Sequence, residues 1–222
     1  MSDHGSNAVP DYFDRRQLTE VFESDCAQRG QWIRSGGGRV ARASRGAEWS
    51  RPSFFHVLRA SAAVGRTFTE DEAVYQKDQF AILSYGLWKD KFAGQKDIVG
   101  RDIRLSGSPY RVVGVMPKDF ESPGSEAKLW VPLSFKPEQT LDTARHSNSW
   151  DMIARLKPGV TVVAAQKRID VLNKFQVERA GKLRTLLENA RFGSIVRGLK
   201  DDMVHDIKPT LYLLQAPSCW SC

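Results

Sequence analysis

The sequence predicts an α+β fold in which a strand–helix–strand unit accompanies a mainly β segment that carries a hairpin. Residues 102–105 and 110–115 alternate on both sides of a Gly/Pro turn, which is typical of a hairpin. Residues 149–156 alternate, residues 161–180 have helical periodicity, and residues 193–199 again favour a strand. Of the 222 residues, 41% are hydrophobic, enough to bury a real core.

The N-terminal quarter is predicted to contain two helices. Residues 11–24 follow Pro10, a residue that suits a helix start, and carry an imperfect apolar face. Residues 52–58 form a short buried helix with Pro52 in its first turn. Between these helices, residues 35–38 indicate a flexible loop and residues 39–43 a strand.

The middle of the chain favours strands on either side of one capped helix. Residues 79–83 form a short strand, and Ser84 is the predicted N-cap of a helix over residues 85–92 that Gly94 ends. Residues 129–133 form another strand, and Pro132 within it predicts a position at the sheet edge.

The longest predicted helix begins after Thr161 and ends at Gly181. Its apolar residues recur at spacings of three and four and predict one inward face. That face comprises Val162, Ala165, Ile169, Leu172 and Phe175. A further amphipathic stretch covers residues 201–214.

The net charge of +7 is concentrated in one segment. Residues 28–59 hold seven arginines and one acid: Arg29, Arg34, Arg39, Arg42, Arg45, Arg51, Arg59 and Glu48. The arginines lack helical spacing, so we interpret them as a solvated loop or strand face rather than a nucleic-acid platform. The alternative is a soluble basic domain that binds nucleic acid or other polyanions.

The three cysteines do not indicate a disulfide framework. Cys219 and Cys222 have C-x-x-C spacing, which also occurs in redox and zinc sites, and a small thiol enzyme is therefore a third hypothesis. A redox pair needs a strand–helix context that this end of the chain lacks. A zinc site needs two more ligands, and the four histidines show no ligand spacing.

No catalytic, cofactor or metal site is predicted. Residues 70–72 are acidic, but after Thr69 they are typical of a helix start. His56 is predicted to be a packed histidine, and Ser84 lacks the G-x-S-x-G context of a nucleophile. Residues 36–39 lack the remainder of a phosphate loop, so no ATP site is expected. The tryptophans Trp88, Trp130 and Trp150 are expected in the core, whereas Trp32 and Trp49 are expected to be exposed.

The ordered motifs together resemble the MacB-like periplasmic core domain of ABC-transporter permeases. They occupy residues 10–14, 21–24, 52–58, 65–69, 83–88, 99–101, 110–117, 129–133 and 154–160. The resemblance covers residues 9–214, although residues 26–50 depart from the family pattern.

The resemblance implies a membrane-proximal lobe (residues 9–60 and 147–214) that contains the β-α-β unit and an inserted, mainly β lobe (residues 61–146). It implies no chemistry: such a domain relays ATP-driven motion on the periplasmic face of the inner membrane. The implied partners are a cytoplasmic ABC ATPase, the permease's membrane helices and a periplasmic adaptor. No specific nucleic acid and no cofactor are expected.

Both ends of the chain lie outside the predicted domain. Residues 1–8 are predicted to be disordered and show no signal peptide, and no apolar run approaches the roughly 18 residues that span a bilayer. If the serines use TCN codons, the shifted reading frame of residues 217–222 encodes only apolar residues, as in a membrane helix. We therefore interpret residues 215–222 as an out-of-frame tail on a truncated fragment.

Overall fold

The computed structural model confirms the α+β class. It describes residues 8–31, 47–123, 125–145, 150–181, 184–189 and 192–201. The helices are α1 (Val9–Arg16), α2 (Ser53–Val57), α3 (Tyr85–Phe92), α4 (Val162–Arg179) and α5 (Arg184–Asn189). The strands are β1 (Phe22–Gln31), β2 (Ala47–Ser50), β3 (Val64–Gly65), β4 (Phe80–Leu83), β5 (Asp102–Leu105), β6 (Ser108–Val115), β7 (Leu129–Pro132) and β8 (Asp151–Leu156).

Within these residues the strands form one mixed sheet of order β3-β6-β4-β7-β2-β1-β8, and β5 pairs with β6. The β4–β6 and β2–β7 pairs are parallel, and the remaining pairs are antiparallel. Strands β3 to β7 therefore connect to β1, β2 and β8 through the β2–β7 pair. The division into two lobes remains a prediction.

The central strands are apolar on both faces because side chains alternate along a strand. On β4, Ile82 packs with the α2 residues Phe54 and Phe55, whereas the adjacent Leu83 packs with Trp88 of α3. Trp130 of β7 is fully buried on the α2 face. On β8, Met152 packs with α1 and α4, whereas the adjacent Ile153 packs with α2. Helices α1 and α4 therefore lie on the sheet face opposite α2, which is also the face of α3.

Several local predictions are confirmed. Ser84 Oγ accepts a hydrogen bond from Leu87 N at 3.2 Å, and α3 ends where Ala93 and Gly94 take positive φ angles. Thr161 Oγ1 caps α4 by accepting from Ala164 N at 3.1 Å. The hairpin is tighter than predicted: Ser106 and Gly107 both have positive φ, so the turn is two residues long and β6 begins at Ser108.

The first predicted helix is wrong in its second half. Helix α1 ends at Arg16, and β1 begins at Phe22, which pairs with Leu156 of β8. Val21 and Phe22 are buried as the sequence indicates, but against Ala165 and Ile169 of α4. Burial by a distant helix and pairing with a distant strand therefore overrode the local helical pattern.

The edge position predicted from Pro132 is also wrong. Strand β7 lies inside the sheet between β4 and β2. Its pairing with β4 ends at Trp130, so the missing N–H of Pro132 removes no hydrogen bond there. The next residue, Leu133, donates its N–H to the carbonyl oxygen of Ser50 in β2 at 2.9 Å.

The inward face of α4 differs from the predicted face. Ala165 and Ile169 are buried as predicted, but Val162 and Phe175 are exposed, with Phe175 51% exposed, and Leu172 is half-buried. The buried positions continue instead through two polar residues, Asn173 and Gln176. These side chains have hydrogen-bond partners on α1 and on residue 194, which permits their burial.

The strand predicted at residues 193–199 does not form, so the β-α-β unit contains only β8 and α4. The side chain of Gln166 takes the place of a neighbouring strand. Its Nε2 donates to the carbonyl of Ser194 at 2.8 Å, and its Oε1 accepts from Val196 N at 2.7 Å. A side-chain amide thus satisfies the backbone that a strand pair would have satisfied.

Some predictions concern residues outside the described ranges. They are the predicted disorder of residues 1–7, the predicted loop and strand over residues 35–43, the predicted amphipathic stretch over residues 202–214 and the predicted tail at residues 215–222. The predictions for the side chains of Arg29, Trp32, Arg34, Arg39, Arg42, Arg45, Cys219 and Cys222 also lie outside the described residues. Ala8, the last residue of the predicted disordered N-terminus, is fully buried at the start of α1.

The pairing of β3 with β6 requires two glycines. A Cβ atom on Gly114 would lie 2.2 Å from the carbonyl oxygen of Arg66, and one on Gly65 would lie 2.3 Å from that of Val113. We expect Gly114→Ala to lower the free energy of unfolding by about 2 kcal/mol, because backbone must move to admit the methyl group. Denaturant unfolding of the 222-residue chain measures this.

The matched control is Gly86→Ala in α3, where a Cβ meets nothing within 4 Å. That substitution is expected to leave stability unchanged or to raise it by up to about 1 kcal/mol through helix propensity. Equal stability of the two variants would contradict the close approach at Gly114.

Candidate functional site: a charged network around α1

Helix α1 carries charges on its buried side. Asp11 is 1% exposed and Arg15 is 4% exposed. Asp11 lies in the first turn and Arg15 in the last, which suits the helix dipole. The same helix buries Val9 and Tyr12 against Leu133 and Phe135, so its apolar and charged residues share one interface with the rest of the domain.

Arg145 clamps three carboxylates. Its Nη1 donates to Asp11 Oδ1 at 2.6 Å, and its Nη2 lies 2.8 Å from both Asp14 Oδ2 and Asp142 Oδ1. The Arg145 side chain is 22% exposed, so the clamp lies at the rim of the domain. It joins α1 to the segment that immediately precedes β8.

A second set of contacts joins α1 to α4. Gln176 Nε2 donates to Asp14 Oδ2 at 2.8 Å. Arg15 Nη2 donates to Ser194 Oγ at 2.5 Å and lies 3.5 Å from Asn173 Oδ1. Helix α1 is thus held by directional polar contacts in two directions, toward residue 145 and toward α4.

Burial and pairing act in opposite directions on these groups. Burial raises the pKa of Asp11, although the nearby Arg15 and Arg145 act to lower it. Burial lowers the pKa of Arg15, against the opposing effect of Asp11 and Asp14. Burial also acts to lower the pKa of Arg145, but hydrogen bonds to Asp142, Asp14 and Asp11 outweigh it and the pKa is raised. The aspartates therefore help to keep a partly buried guanidinium charged.

Glu72, one of the acidic residues considered for catalysis or metal binding, is paired within the domain. Glu72 closes a 3₁₀ turn by accepting from Thr69 N at 2.9 Å, as the helix-start interpretation predicted. It also receives two hydrogen bonds from Arg66, at 2.9 and 2.6 Å. Burial acts to raise the pKa of Glu72, but the contacts with Arg66 and Thr69 outweigh it and the pKa is lowered.

The packed position predicted for His56 is wrong. The side chain of His56 is exposed because Phe54, Phe55 and Val57 take the inward positions of α2.

The aromatic predictions are partly confirmed. Trp88 and Trp130 are buried, and Trp150 is half-buried against Phe135. Trp49, expected to be exposed, is half-buried because it packs against two core clusters. Cys26 is a buried free cysteine, and burial raises the pKa of its thiol.

Two arginine side chains of the arginine-rich segment, Arg51 and Arg59, fall within the described residues. Arg51 is not the solvated residue that we predicted: its side chain is 12% exposed and pairs with Glu70 at 2.8 Å. It also donates to the carbonyl oxygens of Ala73 and Leu133, which ties the 3₁₀ turn to the end of β7. Arg59 is exposed, as predicted, and lies 3.6 Å from Glu23.

One carboxyl group is buried without a cation among the described residues. Glu48 of β2 is 1% exposed, and its Oε2 accepts from Ser122 Oγ at 2.5 Å and Trp130 Nε1 at 3.2 Å. Its Oε1 has no hydrogen-bond partner in the described part of the chain. Burial raises the pKa of Glu48, against the opposing hydrogen bonds from Ser122, Trp130 and Ser125.

Sequence reasoning missed the network around α1, although part of it had a signal. Asp11 and Arg15 are spaced as a helical ion pair, and Asn173 and Gln176 continue the buried register of Ala165 and Ile169. Polar residues in a core register indicate a buried polar contact. Arg145 had no such signal, because its partners on α1, Asp11 and Asp14, are more than a hundred residues away in sequence.

A sequence profile described as the MacB-like periplasmic core domain matches residues 6–172. The chain belongs to this family. The match confirms the resemblance inferred from the sequence. The domain is an extracytoplasmic part of an ABC-type permease. No curated protein matches the chain significantly in sequence.

Three solved structures share this fold. The periplasmic region of MacB from Actinobacillus actinomycetemcomitans aligns with TM-score 0.58 and 17% identity over 84% of this chain and 85% of that one. A domain of a putative permease from Porphyromonas gingivalis gives 0.58 and 14% over 78% and 72%. The extracellular domain of the noncanonic ABC-type transporter YknZ from Gram-positive bacteria gives 0.56 and 16% over 77% and 84%. No described helix of the chain combines the length and the apolarity that crossing a bilayer demands.

The Arg145 clamp predicts a stability effect. Arg145→Ala leaves the buried carboxylate of Asp11 without this donor, so we expect the free energy of unfolding to fall by about 2 kcal/mol. Arg111→Ala is the control, since its pair with Asp102 is exposed on both sides and is expected to contribute little. Denaturant unfolding compares them, and equal losses would show that the clamp is no stronger than a surface pair.

Glu48 predicts a pH effect. Its pKa is raised in the folded state, so its favourable contribution is complete below the ordinary carboxyl pKa of about 4.3 and is lost as the pH rises through the folded value. We expect Glu48→Gln to equal the wild type near pH 4 and to exceed it in stability at about pH 8. The exposed Glu138→Gln is the control. Unfolding curves across this range measure the difference, and parallel pH profiles of wild type and Glu48→Gln would contradict the prediction.

Proposed function

We propose that this domain relays ATP-driven conformational change from a cytoplasmic ABC ATPase to periplasmic partners or substrate, without catalysing a reaction itself. Membership of the MacB-like family supports the transporter context. In this proposal the domain lies at the periplasmic face of the inner membrane, and its partners are the ATPase, the permease's membrane helices and a periplasmic adaptor.

The observation that carries the proposal is the polar attachment of α1. This helix lies near the start of the matched region and is the first described element of the chain. Arg145 ties it to the segment before β8, and Gln176 ties it to α4. Movement of α1 relative to either element therefore has to break or exchange these contacts, because hydrogen bonds are directional.

The arrangement of candidate reactive groups supports a non-catalytic role. Ser84 caps α3, Glu72 is paired with Arg66, and the Cys26 thiol is buried. The polyanion-binding alternative is not favoured by the described arginines, since Arg51 is ion-paired within the domain. The thiol-enzyme hypothesis rests on Cys219 and Cys222, which lie outside the described residues.

Tying α1 to α4 tests the proposal. In a complete permease that carries this domain, Asp14→Cys and Gln176→Cys would be bridged by a short bifunctional thiol reagent. We expect bridging to abolish the coupling of ATP hydrolysis to transport, because α1 can no longer move relative to α4. The measurement is ATPase rate and substrate export before and after the reagent.

The matched control bridges Arg104→Cys and Pro109→Cys, which are cross-strand partners in the β5–β6 hairpin. Bridging there ties two strands that already move together and is expected to leave export unchanged. Full export with α1 bridged to α4 would rule out a relay through this helix.

A further inference from the structure

The two arginines of the network share carboxylates unequally. Arg145 contacts Asp11, Asp14 and Asp142 at 2.6 to 2.8 Å. Arg15 is more deeply buried but has no ion pair with any described carboxylate, and its Nη2 contacts only Asn173 and Ser194. The more exposed cation therefore holds all three carboxylates.

Arg15 retains an unused donor. Its Nε is buried and has no hydrogen-bond partner among the described residues. A buried N–H of a charged group that lacks an acceptor costs free energy, and such groups are rare in folded proteins. The Nε–H of Arg15 is therefore free to donate to a carboxylate that does not contact it in this structure.

Asp11 is the carboxylate with which Arg15 can form an ion pair. The two residues lie four apart on α1, so their side chains share one face of the helix. Asp14 is adjacent to Arg15 in sequence, does not share that face, and is already bound by Gln176. Transfer of Asp11 from Arg145 to Arg15 needs only a side-chain rearrangement within α1.

We propose that Asp11 exchanges ion-pair partners: it binds Arg145 in this structure and binds Arg15 when the segment of Arg145 separates from α1. Asp11 is paired in both positions. If Arg145 were its only possible partner, separation would leave a buried carboxylate without a cation, which is strongly destabilising. The exchange makes the joint a two-position switch. Arg145 is the cation released, because it lies at the rim and is reached by water and salt.

This inference deepens the proposed relay and rests on it for its biological meaning, but its test needs neither ATPase nor membrane. Failure of the exchange would leave the relay through α1 intact. Failure of the bridging experiment in the permease would leave the exchange intact as a property of the isolated chain.

The experiment follows the Nε–H resonance of Arg15 by NMR in the full 222-residue chain. In Arg145→Gln we expect this resonance to shift and its exchange with water to slow, because Asp11 now accepts from it. In Asp11→Asn/Arg145→Gln the shift is expected to be lost, and Arg111→Gln, which removes an exposed arginine, is expected to leave it unchanged. An unshifted Arg15 signal in Arg145→Gln would overturn the proposal.

A second measurement uses the unmodified chain, so it does not depend on the variants' folding. Raising the salt to about 1 M screens the rim contact of Arg145 far more than a buried contact of Arg15. We expect the Arg15 Nε–H resonance to shift and its exchange with water to slow as the salt rises, because Asp11 now accepts from it. A resonance that does not respond to salt would show that Asp11 has one partner only.

Discussion

The position of α1 depends on the guanidinium of Arg145, which joins Asp11, Asp14 and Asp142. Asp11 is buried, so it requires a cation or a donor wherever α1 lies. Buried ion pairs contribute little net stability compared with apolar packing, but they define the geometry in which the charges are satisfied. The joint is therefore specific in position without being strongly held, as the proposed relay requires.

The sheet beneath α1 has the opposite character. Its central strands bury Ile82 and Trp130 on one face and Leu83 and Val112 on the other, and such packing tolerates little displacement. The close backbone approach at Gly114 adds to this rigidity. A stiff sheet with a polar joint at one helix suits a body that is moved as a unit, which is what the relay that we propose requires.

The elements that local sequence predicted correctly are those whose boundaries have a chemical marker. Ser84 and Thr161 provide hydroxyl caps, and the turn at Ser106 and Gly107 suits a tight hairpin. The incorrect predictions concern segments whose hydrogen bonds come from elsewhere. Residues 193–199 have strand-like residues, but Gln166 satisfies the backbone at Ser194 and Val196. Phe22 fits a helical face, but it pairs with β8 and packs on α4.

The sequence by itself determined the α+β class, the family and most helix and strand positions, because caps, turns and apolar periodicity act over a few residues. Only the tertiary structure decided the order of the strands, the burial of Glu48 and the network around α1. Asp11 and Arg145 are separated by more than a hundred residues, and no local pattern marks their contact. Such a contact is decided by how the whole chain packs, since burial makes the pairing of these charges necessary.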